Sequence, residues 1–223
     1  MLITVVIPTY QRCAAVTRAV LALAQQTLAP EQYEVIVVID GSTDGSRPSL
    51  AAVAVPYALQ ILWQPNQGRA AARNLGLSRA RGEVVVMLDD DMCAAPGLLE
   101  AHRRAHTLDG PLAVLGPVPI AALADAAPVR RYIADKFNRH LDQLAQPGHV
   151  FQLRDFYSGN VSVGRDILQG VGGFDSDFRQ YGNEDLELAV RLQRVGVRVA
   201  YCPAAVAHQD SVDEKSSGHR LGS

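Results

Sequence analysis

Lysine is almost missing from this chain. Only Lys136 and Lys215 are lysine among the 21 basic residues, and the rest are arginine. Arginine presents a planar fork that suits phosphate and carboxylate recognition. Cysteine is scarce too: Cys13, Cys93 and Cys202 are odd in number, far apart, and form no C-x-x-C pair. That argues against a disulfide framework and a thiolate zinc site. Charge of one sign is also lacking. The 21 basic and 23 acidic side chains leave a net charge of -2, so no global basic field marks a binder of nucleic acid or anionic membrane. Long apolar runs are missing as well. The runs at 35–39 and 84–88 are five residues each, against ~18 for a membrane span. Met1 leads into LITVVIPTY without the basic segment of a secretory signal. The expectation is a cytoplasmic protein, at most peripheral at the inner face of a membrane.

What is present is ordinary for a globular protein. The 223 residues are 48% hydrophobic and 20% charged, with mean hydropathy +0.03. A chain of this length buries ~70% or more of its unfolded surface and needs no covalent staple. No repeat or low-complexity linker interrupts it, so a single domain over 1–223 is expected. Residues 2–7 (LITVVI) predict a strand closed by Pro8, and 13–26 predict a helix. Further strands are predicted at 34–39 (EVIVVI), 59–63 and 83–88 (EVVVML), with an Ala-rich helix at 68–78. Strands that are apolar throughout and separated by helices imply a mostly parallel sheet covered on both faces. In the second half, helices are predicted at 96–106, 128–144 and 185–195, the last stopped by Gly196. Strands are predicted at 113–118, 157–163 and 197–201, and residues 209–223 form a polar tail without periodicity.

Ligands of open α/β sheets bind outside the carboxyl ends of the strands. Three predicted strand ends carry polar clusters: Pro8-Thr9-Tyr10-Gln11-Arg12, Asp40-Gly41-Ser42-Thr43-Asp44 and Asp89-Asp90-Asp91. Adjacent carboxylates repel one another, and burial raises that cost. A divalent cation relieves it, and hard oxygen ligands favour Mg²⁺ or Mn²⁺ completed by diphosphate oxygens. A solvated capping loop before Pro96 is the plainer alternative. Asp40 reads either as a turn residue or as a partner of a base or ribose. Arg73 reads either as a surface residue or as a phosphate contact. Glu184 and Asp185 open the amphipathic helix. Capping accounts for one carboxylate, whereas two adjacent ones also suit a general base with a binding partner. His208, after the last strand, is either exposed or a metal ligand. His102 and His106 lack an H-E-x-x-H setting and read as a helix face.

In order, VVIPTYQR, VIVVIDGSTDGS, NQGRAAARNLGLSRARGEVVVMLDDDM, GNVSVGR and GGFDSDFRQYGNEDLELAVRLQRVGVRV resemble a family 2 glycosyltransferase of the GT-A fold. The resemblance runs over residues 3–208. It implies an inverting enzyme that uses a nucleotide-diphosphate sugar. The fold implied is α/β: a Rossmann-like, mostly parallel sheet flanked by helices. Residues 1–100 would serve the nucleotide sugar and 101–208 the acceptor and catalysis. Pro8, Thr9, Tyr10 and Arg12 are implied to line the nucleoside pocket, with Asn66 and Gly68 beside them. Asp40 would meet a uracil base and Arg73 the nucleotide. The D-x-D motif maps onto Asp89 and Asp91, with Asp91 the direct metal ligand and Asp89 near ribose and metal. Asp90 takes the middle position on the nucleotide side. His208 matches a further metal or diphosphate ligand. The E-D pair maps onto Glu184, an acceptor contact, and Asp185, the base. The family often has two acids before the glycine of the second motif, and here the first is Ile39.

The implied cofactor is Mn²⁺ or Mg²⁺, and a UDP-sugar is the favoured donor. The acceptor would be a glycan, a lipid-linked or a small molecule; no nucleic acid is implied, and a homodimer is left open. The acceptor surface is expected in 117–156; its Arg130, Arg131, Tyr132, Lys136 and Phe137 could touch an acceptor, a membrane surface or a partner subunit, or form only a solvated helix face. A sugar nucleotidyltransferase would carry a Gly-rich basic loop after the first strand, where this chain has none. A non-catalytic nucleotide-sugar-binding protein, the other alternative, would not need both acid clusters.

Overall fold

The structure, a computed structural model, describes residues 1–107, 110–121, 128–178 and 182–209. The first half runs β1 (Ile3–Thr9), α1 (Cys13–Leu23), β2 (Tyr33–Asp40), α2 (Ser46–Ala51), β3 (Ala58–Gln64), α3 (Arg69–Arg79) and β4 (Val84–Leu88). It continues with β5 (Met92–Ala94), α4 (Leu98–Ala105), β6 (Leu112–Leu115), α5 (Pro128–Leu144), β7 (Asn160–Gly164) and α6 (Arg165–Gly170). The last elements are α7 (Glu184–Arg194), β8 (Arg198–Tyr201) and β9 (Ala207–Gln209). The main sheet has the order β3-β2-β1-β4-β7-β6-β8, and β5 pairs with β9 in a small second sheet.

Strands β1 to β4 are parallel, as expected from their unbroken apolar runs. Every residue of β1, β2 and β4 is buried. The period of two divides them between two layers. Val5 and Ile7 pack with Val16, Val20 and Leu23 of α1 on one face. Val6, Val85 and Met87 meet Ala70 and Leu77 of α3 and Leu188 and Leu192 of α7 on the other.

Three expectations shift. Pro8 does not close β1. The ladder to β4 ends at Val6–Met87 while the ladder to β2 continues to Thr9, so a residue without an N–H is tolerated there. The strand expected at 157–163 begins at Asn160 and runs antiparallel to both β4 and β6, which makes the sheet mixed. Gln209 belongs to β9 rather than to a tail, and 210–223 lie outside the described residues. The helix expected at 128–144 is present with those bounds as α5, where Arg131, Tyr132 and Lys136 are exposed and Phe137 packs against the core. Among the described residues no helix is long and apolar enough to cross a membrane.

His102 is not on an outward helix face. It is fully buried, with Nε2 3.0 Å from Asn160 Oδ1 and Nδ1 2.8 Å from Ser162 Oγ. Asn160 Nδ2 donates to the Ala205 carbonyl, which orients the amide so that His102 Nε2 is the donor. Burial pushes the imidazole pKa down to about 4. The unfolded chain therefore takes up a proton near pH ~6.5 that the folded chain refuses, and stability falls as pH drops below that point. The loss between neutral pH and pH ~4 is about 2–3 kcal/mol from this group. Urea melts at the two pH values check it. His102→Gln should flatten the difference, and an unchanged pH dependence in that variant would contradict the assignment.

Candidate active site

β1 connects to β2 on one side and abuts β4 on the other, so the strand order reverses between β1 and β4. Such a reversal opens a crevice at the carboxyl ends of the two strands. The segments after β1 and β4 meet there. Thr9 Oγ1 donates to Asp90 Oδ2 at 2.7 Å. Arg12 Nη1 bridges Asp90 Oδ1 at 2.9 Å and Asp91 Oδ2 at 3.0 Å. Gln209 Nε2 also approaches Asp91 Oδ2, at 3.4 Å. Burial pushes the Asp90 pKa up to about 6, against the pull of Arg12 and the Thr9 hydroxyl. The middle acid is thus the structural pin of the triplet. A cavity of about 190 Å³ opens beside it, lined by Pro8, Thr9, Tyr10, Arg12, Asp40, Arg69, Ala72, Asp89 and Asp90. Tyr10 is half exposed at its rim.

Asp40 ends β2 and is engaged on both oxygens. Oδ1 accepts from Gln64 Nε2 and the Gln67 N–H, and Oδ2 accepts from the Gly68 N–H. This carboxylate holds the 64–68 turn against the cavity. Gly41 is required next to it: its φ is +79°, and a Cβ there would lie 2.7 Å from the Asn66 nitrogen. Asn66 itself is exposed and does not line the cavity.

The second acid pair arrives from the far end of the chain. Glu184 and Asp185 begin α7, preceded by Asn183 at φ +68°. Among the described residues, Asn183 and Gln11 (φ +54°) are the two non-glycine residues with positive φ, and each flanks this crevice. Backbone strain of this kind concentrates at functional sites. The Asn183 side chain does not cap the helix; instead Glu184 Oε2 accepts from the Gly182 N–H, and Glu184 is buried. Ser158 Oγ donates to Asp185 Oδ1 at 2.5 Å and the Ser158 N–H to Oδ2 at 3.2 Å. Burial raises the Asp185 pKa above the usual carboxylate range, opposed first by Arg73 and then by Ser158.

Arg73 is neither a surface residue nor part of the cavity lining. It is 1% exposed beneath the Phe174 ring. Nη2 donates to Asp89 Oδ1 at 2.9 Å, and Nη1 stands 3.6 Å from both Glu184 Oε1 and Asp185 Oδ1. Asp89 further receives an ion pair from Arg69 at 3.9 Å, and its N–H donates to the Gly159 carbonyl. The triplet and the E-D pair therefore face one crevice, joined by one guanidinium.

His208 has a different setting from the acids. It lies on β9 opposite Cys93, is exposed, and among the described residues no three His, Cys, Asp or Glu side chains stand as a metal group. A cation here would rest on fewer protein ligands. Mg²⁺ needs only one or two carboxylates when phosphate oxygens complete its shell, and the oxygens of Asp89 and Asp91 at the crevice fit that demand. Sequence reasoning missed Ser158 as the partner of Asp185. Its signal was the small polar step Ser158-Gly159 directly before a strand.

The comparisons with known proteins bear on family and fold. The chain is 32% identical over 220 residues to validoxylamine A glucosyltransferase of Streptomyces hygroscopicus subsp. limoneus, covering 88% of this chain and 49% of that protein. It is 30% identical over 210 residues to pre-mycofactocin glycosyltransferase of Mycobacterium tuberculosis (strain ATCC 25618 / H37Rv), covering 93% and 42%. The chain spans about half the length of the curated relatives it matches. Among solved structures, mannosyltransferase PcManGT from Pyrobaculum calidifontis in complex with GDP-Man and Mn²⁺ aligns with TM-score 0.71 at 23% identity, over 96% of this chain and 58% of that one. S. aureus TarS 1-349 in complex with UDP aligns with TM-score 0.74 at 17% identity, over 94% and 60%. The shared architecture is the GT-A fold. Residues 139–215 match a family described as the N-terminal domain of galactosyltransferase. Residues 4–170, most of the chain, match the family described as Glycosyl transferase family 2, and the protein belongs to that family.

Proposed function

We propose that this chain carries the catalytic domain of an inverting glycosyltransferase that moves a sugar from a nucleotide-diphosphate donor to an acceptor hydroxyl. The observation that carries the reading is the meeting of Asp89–Asp91 with Glu184–Asp185 around one crevice. A donor site alone would not need the second pair. The nucleoside lies in the cavity bounded by Thr9, Tyr10, Arg12 and Asp40, with Tyr10 offering a ring face to the base. A UDP-sugar is the favoured donor, in line with the UDP complex of a structural neighbour. The GDP-Man complex of another makes GDP-sugars the second choice.

An acceptor hydroxyl is a weak nucleophile. Asp185, buried and held by Ser158, removes its proton as the oxygen attacks the anomeric carbon. One displacement by an oxygen from the face opposite the leaving diphosphate inverts that carbon. Glu184 contacts the acceptor. Asp91, with Asp89 beside it, would hold a divalent cation, Mn²⁺ or Mg²⁺, which would neutralise the charge that develops on the diphosphate. The acceptor is a glycan, a lipid-linked or a small molecule reached from the α5 side.

Incubation with UDP-, GDP- and dTDP-sugars, with and without Mn²⁺, tests the reading. Cleavage of one donor that quickens with acceptor supports it, and inertness toward all of them overturns it. Asp91→Ala should remove the Mn²⁺-dependent part of nucleotide affinity, about tenfold or more. Titration calorimetry with UDP and GDP measures this, and equal affinity of variant and parent in Mn²⁺ would remove Asp91 as the ligand.

A further inference from the structure

Arg73 heads the largest fully buried side chains among the described residues, and it is charged. Its Nε and Nη1 atoms are buried without a hydrogen-bond partner. Idle donors on a buried cation weaken a fold unless carboxylates around it stay ionised. Three carboxylates ring it: Asp89 at 2.9 Å, and Glu184 and Asp185 at 3.6 Å. The last two distances are too long for hydrogen bonds, so Nη1 is aimed at the acid pair without being spent on it. The Phe174 ring, 5.0 Å from the guanidinium carbon, fixes the plane of the fork. The cavity beside the triplet is lined by Arg69 rather than Arg73.

We propose that Arg73 is a positioning residue for the transfer step, tying Asp185 on the acceptor side to Asp89 on the donor side. This rests on the reading of Asp185 as the base. Catalytic contacts that are long without substrate tighten in the substrate complex. Nη1 then locks Asp185 in the direction of the acceptor proton, while Nη2 keeps hold of Asp89. The donor end and the base thereby keep one spacing.

The test compares Arg73→Met and Arg73→Lys in the full chain, using UDP and GDP for binding and the donor identified by the cleavage screen for transfer. In Arg73→Met, kcat falls about 100-fold, the effect of a base displaced by about 1 Å, while nucleotide Kd stays within about threefold. Arg73→Lys keeps the charge without the fork and recovers part of the rate. The acid limb of the kcat profile moves to higher pH in Arg73→Met. The groups facing Asp185 are Arg73 from α3, Glu184 beside it and Ser158 before β7, and removing the cation leaves burial and Glu184 less opposed. Lost nucleotide affinity with unchanged kcat would make Arg73 a nucleotide contact and overturn the proposal. A lower kcat with an unmoved acid limb would reduce it to packing and also overturn it. Should Arg73→Met not fold, Arg73→Lys decides through the same split between kcat and Kd. Normal turnover by Asp185→Asn removes the base reading itself, whereas an inactive Asp185→Asn beside a fully active Arg73→Met removes this proposal alone.

Discussion

Asp185→Asn should lower transfer by about 10²–10⁴-fold, the range ascribed to a positioned general base. The amide has the shape of the carboxylate and still accepts the Ser158 hydroxyl on its oxygen. Its NH₂ then faces the Ser158 N–H, which costs about 1 kcal/mol of local stability and leaves the fold intact. What it loses is the capacity to take a proton. Nucleotide affinity should stay within about threefold, because Asp185 lies outside the cavity beside the triplet. The parent enzyme carries its own internal control. Burial raises the Asp185 pKa, so the base is protonated at a higher pH than an exposed aspartate. Rate is therefore lost as pH falls, while this group binds protons more readily folded than unfolded and its contribution to stability rises. Activity and fold thus respond to acid in opposite senses at this residue. Single-turnover kinetics beside calorimetry provide the measurement, and parental turnover by the variant would end the base assignment.

Gly116→Ala should destabilise the protein by about 3–4 kcal/mol. A Cβ at this position would lie 2.1 Å from the Ala205 carbonyl oxygen and 2.5 Å from Asn160 Nδ2. The first is backbone, and it cannot rotate away. The Gly116 N–H donates to the Asn160 carbonyl and its own carbonyl accepts from Tyr157 Oη, so the glycine is held from two further sides. A methyl group must break the Asn160–Ala205 hydrogen bond, and Asn160 in turn orients His102. For a chain of this size that corresponds to a fall in Tm of about 6–16 °C. Thermal melts followed by circular dichroism report it, and a Tm within about 2 °C of the parent would mean that the three segments part easily.

How much of this was legible in the sequence depends on what each residue owes to its neighbours in the chain. β1, β2 and β4 are buried on both faces, so their β-branched runs announced them. α7 announced itself through the spacing of Leu188 and Leu192. The acid clusters stood out because adjacent carboxylates are rare without a reason. β5 and β9, three residues each, have no room for a period, and their pairing exists only because residues 207–209 return to lie antiparallel against 92–94. Arg73 and His102 mark the larger gap. Sequence reports that a side chain is basic, not that Phe174 will cover it from across the fold. For His102 a signal did exist: it follows Leu98 and Leu99 by four and three residues, on the inward side of α4. The exposed place of His208 carried no such signal, since its neighbours alternate in either register.

The step Ser158-Gly159 has a consequence of its own. Ser158 grips Asp185 with both its N–H and its hydroxyl, and the Gly159 carbonyl receives the N–H of Asp89. Directly beyond it, Asn160 pairs with Leu88 in the antiparallel ladder. Two neighbouring residues thus act as a gauge block between Asp89 and Asp185. The length of that block is set by the register of β7 on β4, which moves only in whole residues. The spacing of Asp89 from Asp185 is therefore tied to the register of the sheet itself.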